Sequence, residues 1–121
     1  MVGTHRAAIA LAALLGSASL WAHAHLESAQ PPVDGSIAQA PERVQIHFTE
    51  RLEPALAALS VKNAAGEAVD DGQPQVSSDD TRILSIGLRQ PLPAGAYTVE
   101  WAITSVDTHR TKGQYRFTVT P

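Results

Sequence analysis

The chain has 121 residues, no cysteine and a single methionine, Met1, so zinc ribbons, iron–sulfur clusters, disulfide frameworks and thiol nucleophiles are excluded, and any metal chemistry must use nitrogen and oxygen donors. Nine Lys and Arg against twelve Asp and Glu give a net charge of −3; no basic run could track a phosphate backbone, and no nucleic acid partner is expected. With 44% hydrophobic and 17% charged residues the composition is that of a folded globular chain, and the length fits one domain.

Residues 1–22 read as an export address. Arg6 supplies a positive start, Ala7 to Leu15 is an apolar run, and Gly16 to Ala22 is rich in small residues, the layout of a cleaved signal peptide. A membrane span is disfavoured because the apolar run falls short of the ~20 residues a crossing needs and is diluted by Gly16, Ser17 and Ser19. Cleavage after Ala22 starts the mature domain, residues 23–121, at His23; cleavage after Ala24 starts it at His25. Either cut exposes an N-terminal histidine.

Beyond the signal, apolar residues alternate with period two, the mark of half-buried strands. Val44, Ile46 and Phe48 share one face of a first strand; Leu59 and Val61 suggest a second; Leu84, Ile86 and Leu88 a third; Tyr97, Val99, Trp101 and Ile103 a fourth; Tyr115, Phe117 and Val119 a fifth. Turn signals separate them at Pro31 to Gly35, Asn63 to Gly66, Asp70 to Gly72, Ser77 to Asp80 and Pro91 to Gly95. Short strands at this spacing predict an all-β antiparallel sandwich or barrel. Leu52 to Leu59 fits either a helical turn or a loop leading into a strand near Leu59, since Ala and Leu permit the one and Pro54 favours the other.

Four histidines follow the signal, and they differ in promise. His47 sits on the polar side of an alternating strand and reads as solvent-facing. Asp107 and His109, two apart after an apolar strand, project to the same side if the segment stays extended, so a carboxylate and an imidazole converge. An N-terminal His23 adds an α-amine and an imidazole, and an amine with a reference pKa near ~7.7–8 gives up its proton far more readily than a lysine. Two imidazoles, one amine and one carboxylate suit a tetragonal copper(II) ion; nickel(II) and zinc(II) remain admissible. A terminus reading His-Ala-His could also wrap copper(II) by its amine, two deprotonated amides and the third-residue imidazole, unless those amides are committed to a sheet. His25 is then expected to orient a ligand or to hydrogen-bond near the site.

Several segments taken together resemble the CopC family of periplasmic copper-binding proteins, in its YobA-like, methionine-poor branch. They are His23-Ala24-His25-Leu26, Pro31 to Ser36, Val44 to Glu50, Pro93 to Trp101 and Val106 to Phe117. The resemblance implies a Greek-key β-barrel or sandwich, cupredoxin-like or immunoglobulin-like, in the periplasm. It implies a copper(II) site from the amine and imidazole of His23 with Asp107 and His109, and it places Glu50, after Thr49, either close to the metal or as a solvated loop carboxylate. Family members that bind copper(I) do so through a Met-rich loop, which this chain lacks. The resulting expectation is a monomeric, non-enzymatic carrier or buffer of one copper(II) ion in copper resistance, homeostasis or uptake, working beside a CopD-like copper-transporting inner-membrane protein. Two other readings remain open: a copper-dependent oxidative enzyme using an N-terminal His brace, and an exported immunoglobulin-like interaction domain without metal.

Overall fold

A computed structural model describes residues 24–121. The expected signal segment and His23 lie outside the described residues. Among the described residues eight strands form two antiparallel-dominated sheets: β1 (Leu26–Gln30), β2 (Ser36–Ile37), β3 (Arg43–Phe48), β4 (Ala58–Asn63), β5 (Gln75–Val76), β6 (Ile83–Gly87), β7 (Gly95–Thr104) and β8 (Arg110–Val119). One sheet has the order β1-β3-β6-β5 and the other β2-β8-β7-β4. The chain passes from sheet to sheet after β1, β2, β3, β4 and β6, which gives a β-sandwich, as the alternation predicts, of the Greek-key type that the family resemblance implies.

The alternating residues face one another across the sandwich. Val44, Ile46 and Phe48 of β3, Leu84 and Ile86 of β6, Val61 of β4, Val99 and Ile103 of β7 and Phe117 of β8 are all buried. Their polar neighbours on the same strands point outward, so one register satisfies every strand at once. Tyr97 stacks on Phe117 in the core with centroids 5.3 Å apart, and the partly buried Trp101 packs against the core, meeting Phe48 edge-on at 5.9 Å and Tyr115 at 6.4 Å. Gly113 lies directly across from Trp101 in the β7–β8 ladder. A Cβ there would come within 2.5 Å of the indole Cζ2, so the glycine makes the seat on which the indole rests.

The ambiguous segment resolves into a 3-10 turn at Pro54–Leu56, with Pro54 in its opening turn, followed directly by β4. Asp70, read from sequence only as part of a turn, is buried and structural. Its Oδ2 accepts the Val61 amide at 2.8 Å and its Oδ1 accepts the Gly72 amide at 2.9 Å, so one carboxylate caps the edge of β4 and closes the turn behind it.

Candidate metal site

The longest ladder in the molecule joins β7 to β8 from Gly95↔Val119 to Thr104↔Arg110, and it delivers Asp107 and His109 in its closing loop. That loop is not extended. The Ser105 amide donates to the His109 carbonyl at 2.9 Å and the Thr108 amide to the Ser105 carbonyl at 2.8 Å, so residues 105–109 make a tight turn. Thr108 completes it with φ 73°, a left-handed conformation that strains a β-branched residue. Asp107 and His109 do converge, with Oδ2 and Nδ1 3.3 Å apart, but a turn brings them together where the sequence argument assumed strand geometry.

The base of the turn is pinned to the body of the fold. Ser105 is buried, the Val106 amide donates to the Arg51 carbonyl at 3.0 Å, and the Glu53 amide donates to the Thr104 carbonyl at 2.8 Å. The Arg110 guanidinium reaches the Thr104 hydroxyl at 3.1 Å. Short loop, buried base and strand-anchored ends together preorganise the pair. The Ser105 hydroxyl donates to Asp107 Oδ1. This hydroxyl is the largest influence and holds the Asp107 carboxyl below its ordinary value against the opposing effect of burial, and hydrogen bonds from His109 add to the lowering. Asp107 is therefore an anion over the whole neutral range, while its side chain and that of His109 remain about half exposed at the rim.

The chain just before β1 arrives at the same rim. Ala24 is buried at 3% exposure, and its carbonyl accepts the Thr111 hydroxyl at 3.3 Å. Thr111 stands in β8, two residues after His109. The His25 amide donates to the Thr49 hydroxyl at 2.9 Å, and the Thr49 amide donates back to the His25 carbonyl at 2.9 Å. The segment is thus fastened to the end of β3 on one side and to β8 on the other. Residue 23 is one peptide unit, about 3.8 Å between Cα atoms, from the anchored Ala24.

Among the described residues no three His, Asp or Glu side chains gather in a way that could hold a metal ion. Asp107 and His109 bring one carboxylate and one imidazole together at the rim. Glu50 borders an open cleft with Arg51, Asp79, Asp80 and Arg82, and its charge acts on the Arg82 guanidinium. His47 is half-buried, in contrast to the solvent-facing reading. Its Nε2 is shielded from water without a hydrogen bond, 3.6 Å from Asp80 Oδ2 and 3.9 Å from Glu27 Oε2. The strand period could not reveal this, because Glu27 occupies a β-bulge in β1 and Asp80 a loop.

Residues 26–120 match the family model of the CopC domain. The chain is 33% identical over 101 residues to Protein YobA of Escherichia coli strain K12, covering 84% of this chain and 82% of that protein. It is 36% identical over 107 residues to copper resistance protein C of Escherichia coli, covering 84% of each. The crystal structure of CopC from Methylosinus trichosporium OB3b is similar with a TM-score of 0.71 at 31% identity, over 82% of this chain and 95% of that one. The match runs through every strand of the sandwich and through the Asp107–His109 turn, and on that ground the chain belongs to the CopC family.

Proposed function

We propose that this chain is an exported copper(II)-binding protein that carries or buffers one ion, with the α-amine and imidazole of His23, Asp107 and His109 as ligands. The observation that carries the reading is the meeting of two parts of the chain at one rim: the preorganised Asp107–His109 pair, and the anchored Ala24 that leads to His23. Two donors on the turn form half of a tetragonal set, and cleavage after Ala22 creates the other half on a single residue. The copper resistance protein C and CopC relatives point to copper as the cargo, and export to the periplasm follows from the composition of residues 1–22.

The donor chemistry favours copper(II). Two imidazoles and an amine are borderline donors, and a carboxylate held ionised by Ser105 is a hard anion that stabilises the more highly charged ion. Past Met1 the chain offers no sulfur for copper(I). A site of this kind holds its ion and does not cycle it, which favours storage and delivery over oxidative turnover. Transfer to a copper-transporting membrane protein is the natural use of an ion held at an exposed rim by a free chain end.

Thermal melts of the mature protein with and without one equivalent of copper(II) test the proposal. An ion bound only by the native state raises apparent stability, by about 2.7 kcal/mol when free ion is a hundredfold above Kd. The rise is expected in wild type and is expected to vanish in Asp107→Ala and in His109→Ala. A melt that copper leaves unmoved would support the interaction domain without metal, and rapid peroxide production under reductant would support the oxidative enzyme.

A further inference from the structure

The Ala24–His25 peptide group is held at both ends. Its carbonyl oxygen accepts the Thr111 hydroxyl at 3.3 Å, from β8, and its N–H donates to the Thr49 hydroxyl at 2.9 Å, from the residue that follows β3 in the other sheet. A peptide group is planar, so fixing its two ends fixes the direction in which the nitrogen points. The neighbouring carbonyl of His25 is tied as well, by the Thr49 amide at 2.9 Å. Ala24 is packed into the core, which leaves the strut little room to roll.

We infer that Thr49 and Thr111 select the copper coordination mode by denying the His25 amide nitrogen to the metal. The inference rests on the ligand set proposed above. A terminus reading His23-Ala24-His25 has a second way to bind copper(II): amine, the amide nitrogens of residues 24 and 25, and the His25 imidazole wrap the ion in a plane of four nitrogens. That mode requires the His25 amide to lose its proton to solvent and to turn its lone pair to the metal. It therefore requires the Thr49 contact to break, and the roll of the planar group that turns the nitrogen away from Thr49 also draws the Ala24 carbonyl off Thr111. While both contacts hold, the terminal residue can offer only its amine and imidazole, and the remaining positions fall to Asp107 and His109 across the rim. The two hydroxyls act through the peptide group, as positioning residues, and touch no metal themselves. In functional terms they keep the ion bridged between the chain end and the β7–β8 turn, where it can be released by one movement, instead of sealed in a four-nitrogen wrap.

The test is copper(II) EPR with visible absorption on the mature protein loaded with one equivalent of copper. Wild type is compared with Thr49→Val, Thr111→Val, the double valine variant and Thr49→Ser. Valine keeps the shape and removes the hydroxyl. Wild type is expected to show three coupled nitrogens and a spectrum that changes in His109→Ala. The double variant is expected to show four nitrogens, an absorption band moved to shorter wavelength, and indifference to His109→Ala. Thr49→Ser is expected to retain the wild-type spectrum, which a purely structural role for the side chain would not require. Should the double variant not fold, each single variant frees one end of the peptide group, and Thr49→Val alone is expected to show a mixture of the two spectra. A valine series that keeps the three-nitrogen spectrum overturns the selector and leaves the ligand set standing. A wild-type spectrum with four nitrogens that ignores His109→Ala overturns the ligand set and the selector together.

Discussion

Substituting Gly113 by alanine isolates the contact on which the Trp101 ring is seated against the core. The glycine has no left-handed φ, so alanine can adopt the backbone, and in an otherwise neutral setting it would stabilise by about 0.4–1 kcal/mol through the unfolded state. Against this stands the new methyl, 2.5 Å from Trp101 Cζ2 and 3.0 Å from Cε2 and Cη2. Ordinary carbon contacts begin near ~3.5 Å, so the ring must retreat by about 1 Å. Retreat is obstructed by Phe48 at 5.9 Å and Tyr115 at 6.4 Å between centroids. Overpacking of this kind costs about 1–3 kcal/mol, which outweighs the entropic gain and leaves a net loss of about 1–2 kcal/mol. At roughly 4–8 °C per kcal/mol for a domain near this size, the melting temperature should fall by about 5–15 °C. Metal-free thermal melts followed by far-UV circular dichroism measure it, and the fluorescence of Trp101, the only tryptophan beyond residue 22, should shift as the ring moves. Trp101→Leu should abolish most of the penalty when combined with Gly113→Ala. A single variant within 0.5 kcal/mol of wild type would refute the account of how this pair packs.

Asp70→Asn should destabilise by about 1.5–3 kcal/mol, the range for a hydrogen bond to a charged group. An amide offers one acceptor where Val61 and Gly72 present two amide donors, and urea unfolding checks it. Thr108→Gly should raise stability by about 0.5–1 kcal/mol, because relief of a left-handed β-branched residue exceeds the entropic cost of glycine; a fall in melting temperature would contradict it. In alkali, burial raises the phenol pKa of both tyrosines, Tyr97 and Tyr115, in the folded state. Their contribution to stability is therefore complete below the unfolded value near ~10 and is lost as pH climbs above it. Absorbance at a phenolate wavelength should rise together with unfolding, and ionisation that clearly precedes unfolding would contradict the burial of both rings.

How much of this was legible beforehand depends on the length of the pattern each feature leaves. β3, β6, β7 and β8 each carry several turns of period-two alternation, and Val44, Ile86, Val99 and Phe117 could be placed in the core from spacing alone. β2 and β5 have two residues each, too few for a period to exist, and only the sheets beside them define them. Asp70 looked like turn chemistry because the Val61 amide it caps lies nine residues away, a pairing no local rule reaches. The Asp107–His109 pair was found for an imperfect reason. Strand parity predicted that the two side chains converge, and they do, but the backbone brings them together through a tight turn closed by Thr108. The Ala24–His25 clamp was hidden, since Thr49 follows a strand of one sheet, Thr111 lies in a strand of the other, and the two meet the chain end only once the sandwich has closed.

The central claim is that the chain end and the β7–β8 turn share one copper(II) ion. The most direct measurement is competitive copper(II) titration of two forms of the protein, one starting at His23 and one carrying a single additional serine before it. The extension moves the α-amine off His23 while leaving Asp107, His109 and every described contact in place, so the affinity should drop by at least about 100-fold, beyond the effect typical of residues that only support a ligand. Equal affinity in the two forms would contradict the claim.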